Sequence, residues 1–155
     1  MKTYPSRKLL AVMLATLALG AGAAQAAAPL PPLQHSAGVE YLSGGIGQDE
    51  ARAIEGAARH WPLTLEFAVK DKSRADFAAD VKVLVRDAQG HTALDATAGG
   101  PLLLARLAPG RYSVEASFAG KTLHEKVVVK AGHPAKAVFL WPAGTGESQV
   151  GQKHS

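Results

Sequence analysis

Apolar and polar residues alternate with a period of two through most of the chain beyond Leu63, and with a helical period in one shorter stretch before it. Leu63, Leu65, Phe67 and Val69 alternate with Thr64, Glu66, Ala68 and Lys70, which predicts a strand with one apolar face. Val81, Val83 and Val85 repeat the pattern within Ala79 to Asp87. Tyr112, Val114, Ala116 and Phe118 repeat it within Arg111 to Phe118. His91 to Thr97, Leu102 to Leu107, Thr122 to Lys130 and Ala135 to Trp141 are the remaining strand segments. Ala88-Gln89-Gly90 and Ala119-Gly120 read as hairpin turns, with Gly90 free to take a positive φ. Pro109-Gly110 has the signature of a type II turn, and Asp71 to Asp76 reads as a polar loop. Short strands at this spacing predict a mainly β fold: an antiparallel, seven-stranded β-sandwich with one N-terminal helix.

That helix comes from Ala51, Ile54, Ala57 or Ala58, and Trp61, which fall on one stripe. Asp49 and Glu50 at its start and Arg59 and His60 at its end suit the helix dipole, and Pro62 stops it. The expected span is Gln48 to His60. Ahead of it, Tyr41-Leu42-Ser43 reads as a short strand running into the Gly-rich turn Gly44-Gly45-Ile46-Gly47. Residues 27–40, with Pro29, Pro31 and Pro32, read as an extended leader, and residues 142–155 as a disordered polar tail.

Residues 1–26 read as a secretory signal peptide: Lys2, Arg7 and Lys8, then an apolar run from Leu9, then Ala24-Gln25-Ala26, a small-x-small cleavage site at Ala24 and Ala26. The run is shorter than the ~20 residues a membrane span needs. No stable membrane anchor is therefore expected after cleavage, and the expected location is the periplasm or the medium. Export changes the charge picture. The chain carries 17 Lys and Arg against 13 Asp and Glu, but loss of the first 26 residues leaves 14 against 13. No basic run remains to neutralise a row of phosphates, which argues against nucleic acid. The chain has no Cys, which excludes disulfides, thiolate metal sites and a cysteine nucleophile.

Three stretches carry a family resemblance. They are Ala79 to Gly90, ending in Asp87-Ala88-Gln89-Gly90; Pro101 to Val114, containing Leu107-Ala108-Pro109-Gly110-Arg111-Tyr112-Ser113-Val114; and Gly120-Lys121-Thr122. Together they resemble the carboxypeptidase regulatory-like domain, a small transthyretin-like or Cna-B-like Greek-key β-sandwich, over residues 63–141. Gly90, Leu107, Pro109, Gly110 and Tyr112 are its fold motif. The resemblance implies a non-catalytic module that supports or docks another cell-envelope protein, with no cofactor. Residues 41–62, the Gly-rich turn and helix, lie outside it.

Candidate sites are few. Ser43-Gly44-Gly45-Ile46-Gly47 before a helix has the look of an anion-binding loop, but it lacks the Gly-Lys-Ser/Thr ending, and Asp49 and Glu50 oppose an anion. His60, His91, His124 and His133 have no metal-ligand spacing. Ser113 and Ser117 sit on a regular strand with no nucleophile elbow. The transthyretin-like fold does include a hydrolase of purine catabolism with a Tyr-Arg-Gly-Ser terminus, whereas this chain ends Gly-Gln-Lys-His-Ser. Lys82 and Lys126, formal candidates for an isopeptide crosslink, are assigned to solvated faces. The remaining interaction candidates are Gly44, Gly45, Gly47, Trp61 and Trp141. The two tryptophans frame the alternative reading, in which the sandwich binds a carbohydrate or small ligand. Their packing role is preferred: Trp61 seats the helix on the sheet, and Trp141 closes the end of the sandwich.

Overall fold

The computed structural model describes residues 28–71 and 75–147; the expected signal peptide, with Ala24 and Ala26, lies outside them. The described chain is mainly β, with ten strands in two sheets and one helix. The strands are β1 (Gln34–Ser36), β2 (Val39–Gly44), β3 (Leu63–Lys70), β4 (Ala75–Phe77), β5 (Val81–Asp87), β6 (Thr92–Ala98), β7 (Leu102–Ala105), β8 (Gly110–Phe118), β9 (Lys121–Val129) and β10 (Ala135–Trp141). Helix α1 (Gln48–Ala58) lies between β2 and β3. One sheet runs β1-β2-β7-β3-β10, with β4 also paired to β3; the other runs β6-β5-β8-β9.

Each of the seven segments read as strands from Leu63 to Trp141 is a strand, but the expected seven-stranded antiparallel sheet pattern needs two corrections. The described chain adds β1, β2 and β4. Of these, β2 extends the short strand expected at Tyr41, and β4 takes up the end of the expected polar loop. The leader, expected to be merely extended, folds back as the β1–β2 hairpin through Ala37 and Gly38, at φ 50° and 82°. The second correction concerns direction: β10 pairs parallel to β3, Ala135 opposite Leu63 and Trp141 opposite Val69. The reason is the short link from β9. It crosses from one sheet to the other, so β10 starts at the end of the molecule where β3 also starts.

The two sheets bury one core. Leu65, Phe67, Leu103, Phe139 and Trp141 from the first meet Val81, Val83, Leu94, Val114 and Val127 from the second. Phe67 lies 5.7 Å from Phe139, and Phe118 meets Trp141 edge-on at 5.5 Å, geometries that aromatic pairs favour. Polar bonds tie the sheets along both sides. Ser36 Oγ donates to the Asp95 carbonyl at 2.8 Å and accepts from its amide at 3.1 Å, pinning β1 across the edge of β6. Trp141 Nε1 donates to the Lys121 carbonyl at 3.0 Å.

A second apolar cluster lies on the other face of the first sheet, where Ile54 and Trp61 pack on Leu42, Leu102 and Leu104. The sheet is therefore covered on both sides at β2 and β7, which explains the unbroken Leu102-Leu103-Leu104 run: Leu103 faces the other sheet, and its neighbours face the helix. Thr64 and Ala68, placed on the polar face of β3 by their alternation, are buried as well, Thr64 beside Leu104 of the helix-side cluster and Ala68 between Phe77 of β4 and Leu140 of β10. The helix ends at Ala58, leaving Arg59 and His60 just past it.

Two further expectations change. The Pro109-Gly110 step is a bend rather than a type II turn, because Gly110 has φ 159°, far from the roughly +80° that turn requires. Tyr112 is not fully inward: its phenol donates to the Ala108 carbonyl at 2.6 Å, bridging the bend. The start of the expected disordered tail is folded. Thr145 is buried and donates to the Pro142 carbonyl at 2.6 Å, and residues 143–147 turn against Phe118, while 148–155 lie outside the described residues.

Candidate functional site

The Gly-rich turn is built by close approach of backbones. Gly44 ends β2 beside Gly100, and a Cβ added at Gly100 would run into the Gly44 backbone. A Cβ at Gly44 would run into the Glu50 carboxylate and Pro31. Gly45 and Gly47 then take φ 98° and 91°, which glycine adopts without steric cost. Ser43 Oγ accepts from the Gly99 amide at 3.1 Å, fastening the turn to the β6–β7 link.

Glu50 answers the anion-loop question. No side chain caps the start of α1, and Glu50 in its first turn reaches back to accept the Gly45 N–H at 2.8 Å. The arrangement is related to a capping box, in which the third helical residue returns to the backbone ahead of the helix. A carboxylate of the chain itself thus occupies the loop donor, and Asp49 beside it adds further negative charge. The loop is neutralised from within.

What the turn presents outward is apolar. A groove of about 710 Å³ opens beside it, lined by Gly45, Ile46, Gly47, Ala51, Phe77 and Pro101 among others. Ile46 and Phe77 are each 68% exposed, the most exposed large apolar side chains among the described residues. Sequence reasoning singled out the glycines and passed over both. Ile46 was the one apolar residue in a glycine turn, and Phe77 stood at the end of a polar loop; each was a legible signal.

The other sequence candidates are spread through the fold. Trp61 is 4% exposed within the helix-side cluster and Trp141 is fully buried, so neither ring offers a free face. The Arg106 guanidinium covers Trp61, its carbon 4.0 Å from the ring centroid. His91 pairs with Asp87 and His124 with Glu115, at 3.5 and 3.6 Å between nitrogen and oxygen, on separate parts of the second sheet. Among the described residues no three His, Asp or Glu side chains are grouped to hold a metal. Ser117 shares a hydrogen bond with Thr122 at 2.7 Å across the β8–β9 pair, and Lys82 and Lys126 are exposed. Of the fold-motif residues, Leu107 is buried and Gly90 closes the β5–β6 turn at φ 82°. Asp87 Oδ1 accepts the amides of Gln89 and His91 there at 3.0 and 2.9 Å, which gives the Asp-x-x-Gly sequence its physical sense. Among the described residues no helix is long and apolar enough to cross a membrane.

Compared with models of known protein families and with curated proteins, the chain matches none.

Proposed function

We propose that this chain is an exported, periplasmic or secreted, non-catalytic module of the carboxypeptidase regulatory-like kind, a transthyretin-like Greek-key β-sandwich that docks against another envelope protein. The fold reading draws on the eight strands from Leu63 to Trp141, seven of them the expected ones, divided between two sheets over one core. Export draws on the basic start, the apolar run and the Ala24-Gln25-Ala26 site in the sequence.

One observation carries the docking role: Ile46 and Phe77 stand exposed on a groove whose backbone is held by the Gly44–Gly100 contact and the Gly45–Glu50 bond. Large apolar side chains on a pre-set surface suit recognition, because little freedom remains to be lost on association. The carbohydrate reading is weaker, since the two aromatics it needs for stacking are both buried.

The test is photo-crosslinking in the native cell envelope from a reactive residue placed at Gln48. One stoichiometric partner is expected, lost when Ile46→Ser and Phe77→Ser are combined. Equal capture by that variant, or none above an exported control protein, would refute the docking role.

A further inference from the structure

At the other end of α1 a cleft of about 280 Å³ has a different character. Its floor and walls are apolar, with Trp61, Leu107 and Val129 buried below and Pro62, Pro109 and Pro134 around them. Its charged rim side chains are basic, Arg59 after the helix and Lys130 from the β9–β10 link, with His60 and His133 beside them, and no Asp or Glu lines it. These four side chains are exposed, and among the described residues none of them has an acidic partner. Arg59 Nε donates to His60 Nε2 at 3.2 Å, a bond between side chains of the group.

The partial negative charge of the helix C-terminus accounts for Arg59 and His60. It does not account for Lys130 and His133, which are brought to the same cleft by a separate segment, held by the His133 amide donating to the Lys130 carbonyl at 3.2 Å. Elsewhere the basic side chains near carboxylates pair with them, as Arg106 does with Glu40 at 2.7 Å and Lys136 with Glu66 at 2.7 Å. The cleft concentrates unpaired positive charge above an apolar floor.

We propose that this cleft binds a small carboxylate with an apolar body, the body resting between Pro62, Pro109 and Pro134 above the buried floor and the carboxylate held by Arg59 and Lys130. Guanidinium suits a carboxylate because its N–H groups match the two oxygens. A cleft this size is at the small end of ligand sites, which favours a single ring or short alkyl acid over an oligosaccharide. A free acid and a polypeptide C-terminus share this chemistry.

The test is ¹⁵N NMR titration of the exported protein with phenylacetate, with 2-phenylethanol and inorganic phosphate as comparisons. Phenylacetate is expected to shift the amides of residues 59–61 and 130–133 saturably, at least tenfold more tightly than either comparison. Combining Arg59→Gln with Lys130→Gln, both exposed, should weaken binding tenfold or more and leave the remaining spectrum in place, whereas Lys82→Gln should change nothing. Tighter binding of Gly-Gly-Phe than of phenylacetate assigns the site to a chain terminus, and the reverse to a free acid. No saturable shift, equal binding of the alcohol, or equal binding of phosphate would overturn the proposal. Because the docking groove shares none of these residues, its success or failure is read separately.

Discussion

The Arg106 guanidinium carbon sits 4.0 Å from the centroid of the Trp61 ring, and Arg106 Nε donates to Glu40 Oε1 at 2.7 Å. One half-exposed side chain thus closes the helix-side cluster and joins it to β2. Contacts of this kind contribute about 1 kcal/mol at exposed sites. Arg106→Ala should lower unfolding free energy by about that amount and shift tryptophan emission to the red as Trp61 gains water. Arg106→Lys should lie between, since it keeps the charge and loses the planar stack.

Gly100 has no room for a side chain, because a Cβ there meets the Gly44 backbone rather than a movable group. Gly100→Ala should therefore cost about 1–3 kcal/mol, the range for overpacking. It should also move the Gly45–Gly47 amide resonances. A stable variant with an unchanged turn would show that the contact is not needed.

Ala119 takes φ 48° ahead of Gly120 at 78°, the primed turn that joins β8 to β9. A left-handed conformation costs an ordinary residue about 1–2 kcal/mol, and asparagine tolerates it better. Ala119→Asn should raise stability by about 0.5–1 kcal/mol in chemical denaturation. Ala37→Asn, in the matching β1–β2 turn at φ 50°, should act in the same direction.

Burial, and then the nearby Asp87 carboxylate, hold the Tyr112 phenol above its ordinary pKa of 10.0. The folded state therefore keeps this proton more tightly than the unfolded chain does. Its contribution to stability is complete below about pH 10 and is lost as pH rises through the raised folded value. Ionisation also removes the hydrogen that bonds to the Ala108 carbonyl. Denaturation curves on either side of this range should show stability falling with pH, and Tyr112→Phe should remove that part of the fall.

The strands were legible because alternation survives wherever one face is buried and the other wet, as at Val81–Val83–Val85. Alternation misled at Thr64, since the helix covers the neighbouring Leu104, and at Ala68, a small side chain flanked by Phe77 and Leu140. The direction of β10 was hidden, because pairing depends on which sheet the Lys130–Pro134 link crosses into, and no local pattern records that. The glycine turn was visible as a turn, but its purpose rests on Gly100, which is 56 residues from Gly44 and adjacent only in the fold. The basic cleft was the least legible feature. Arg59 and His60 read as dipole partners, Lys130 as the end of a strand and His133 as a histidine without metal-ligand spacing, and only the shared end of β3 and β10 brings them together.

The parallel β3–β10 pair also sets a schedule. Phe67 packs against Phe139 and Trp141 across it, so a core residue near the middle of the chain waits for partners more than seventy positions later. Contacts so distant in sequence form slowly, because the intervening loop must close before they return any free energy. A ribosome would have to release residue 141 before the first sheet is complete. Under the export proposed above, such lateness would keep the chain loose while it crosses a membrane and let it lock only once β10 has arrived.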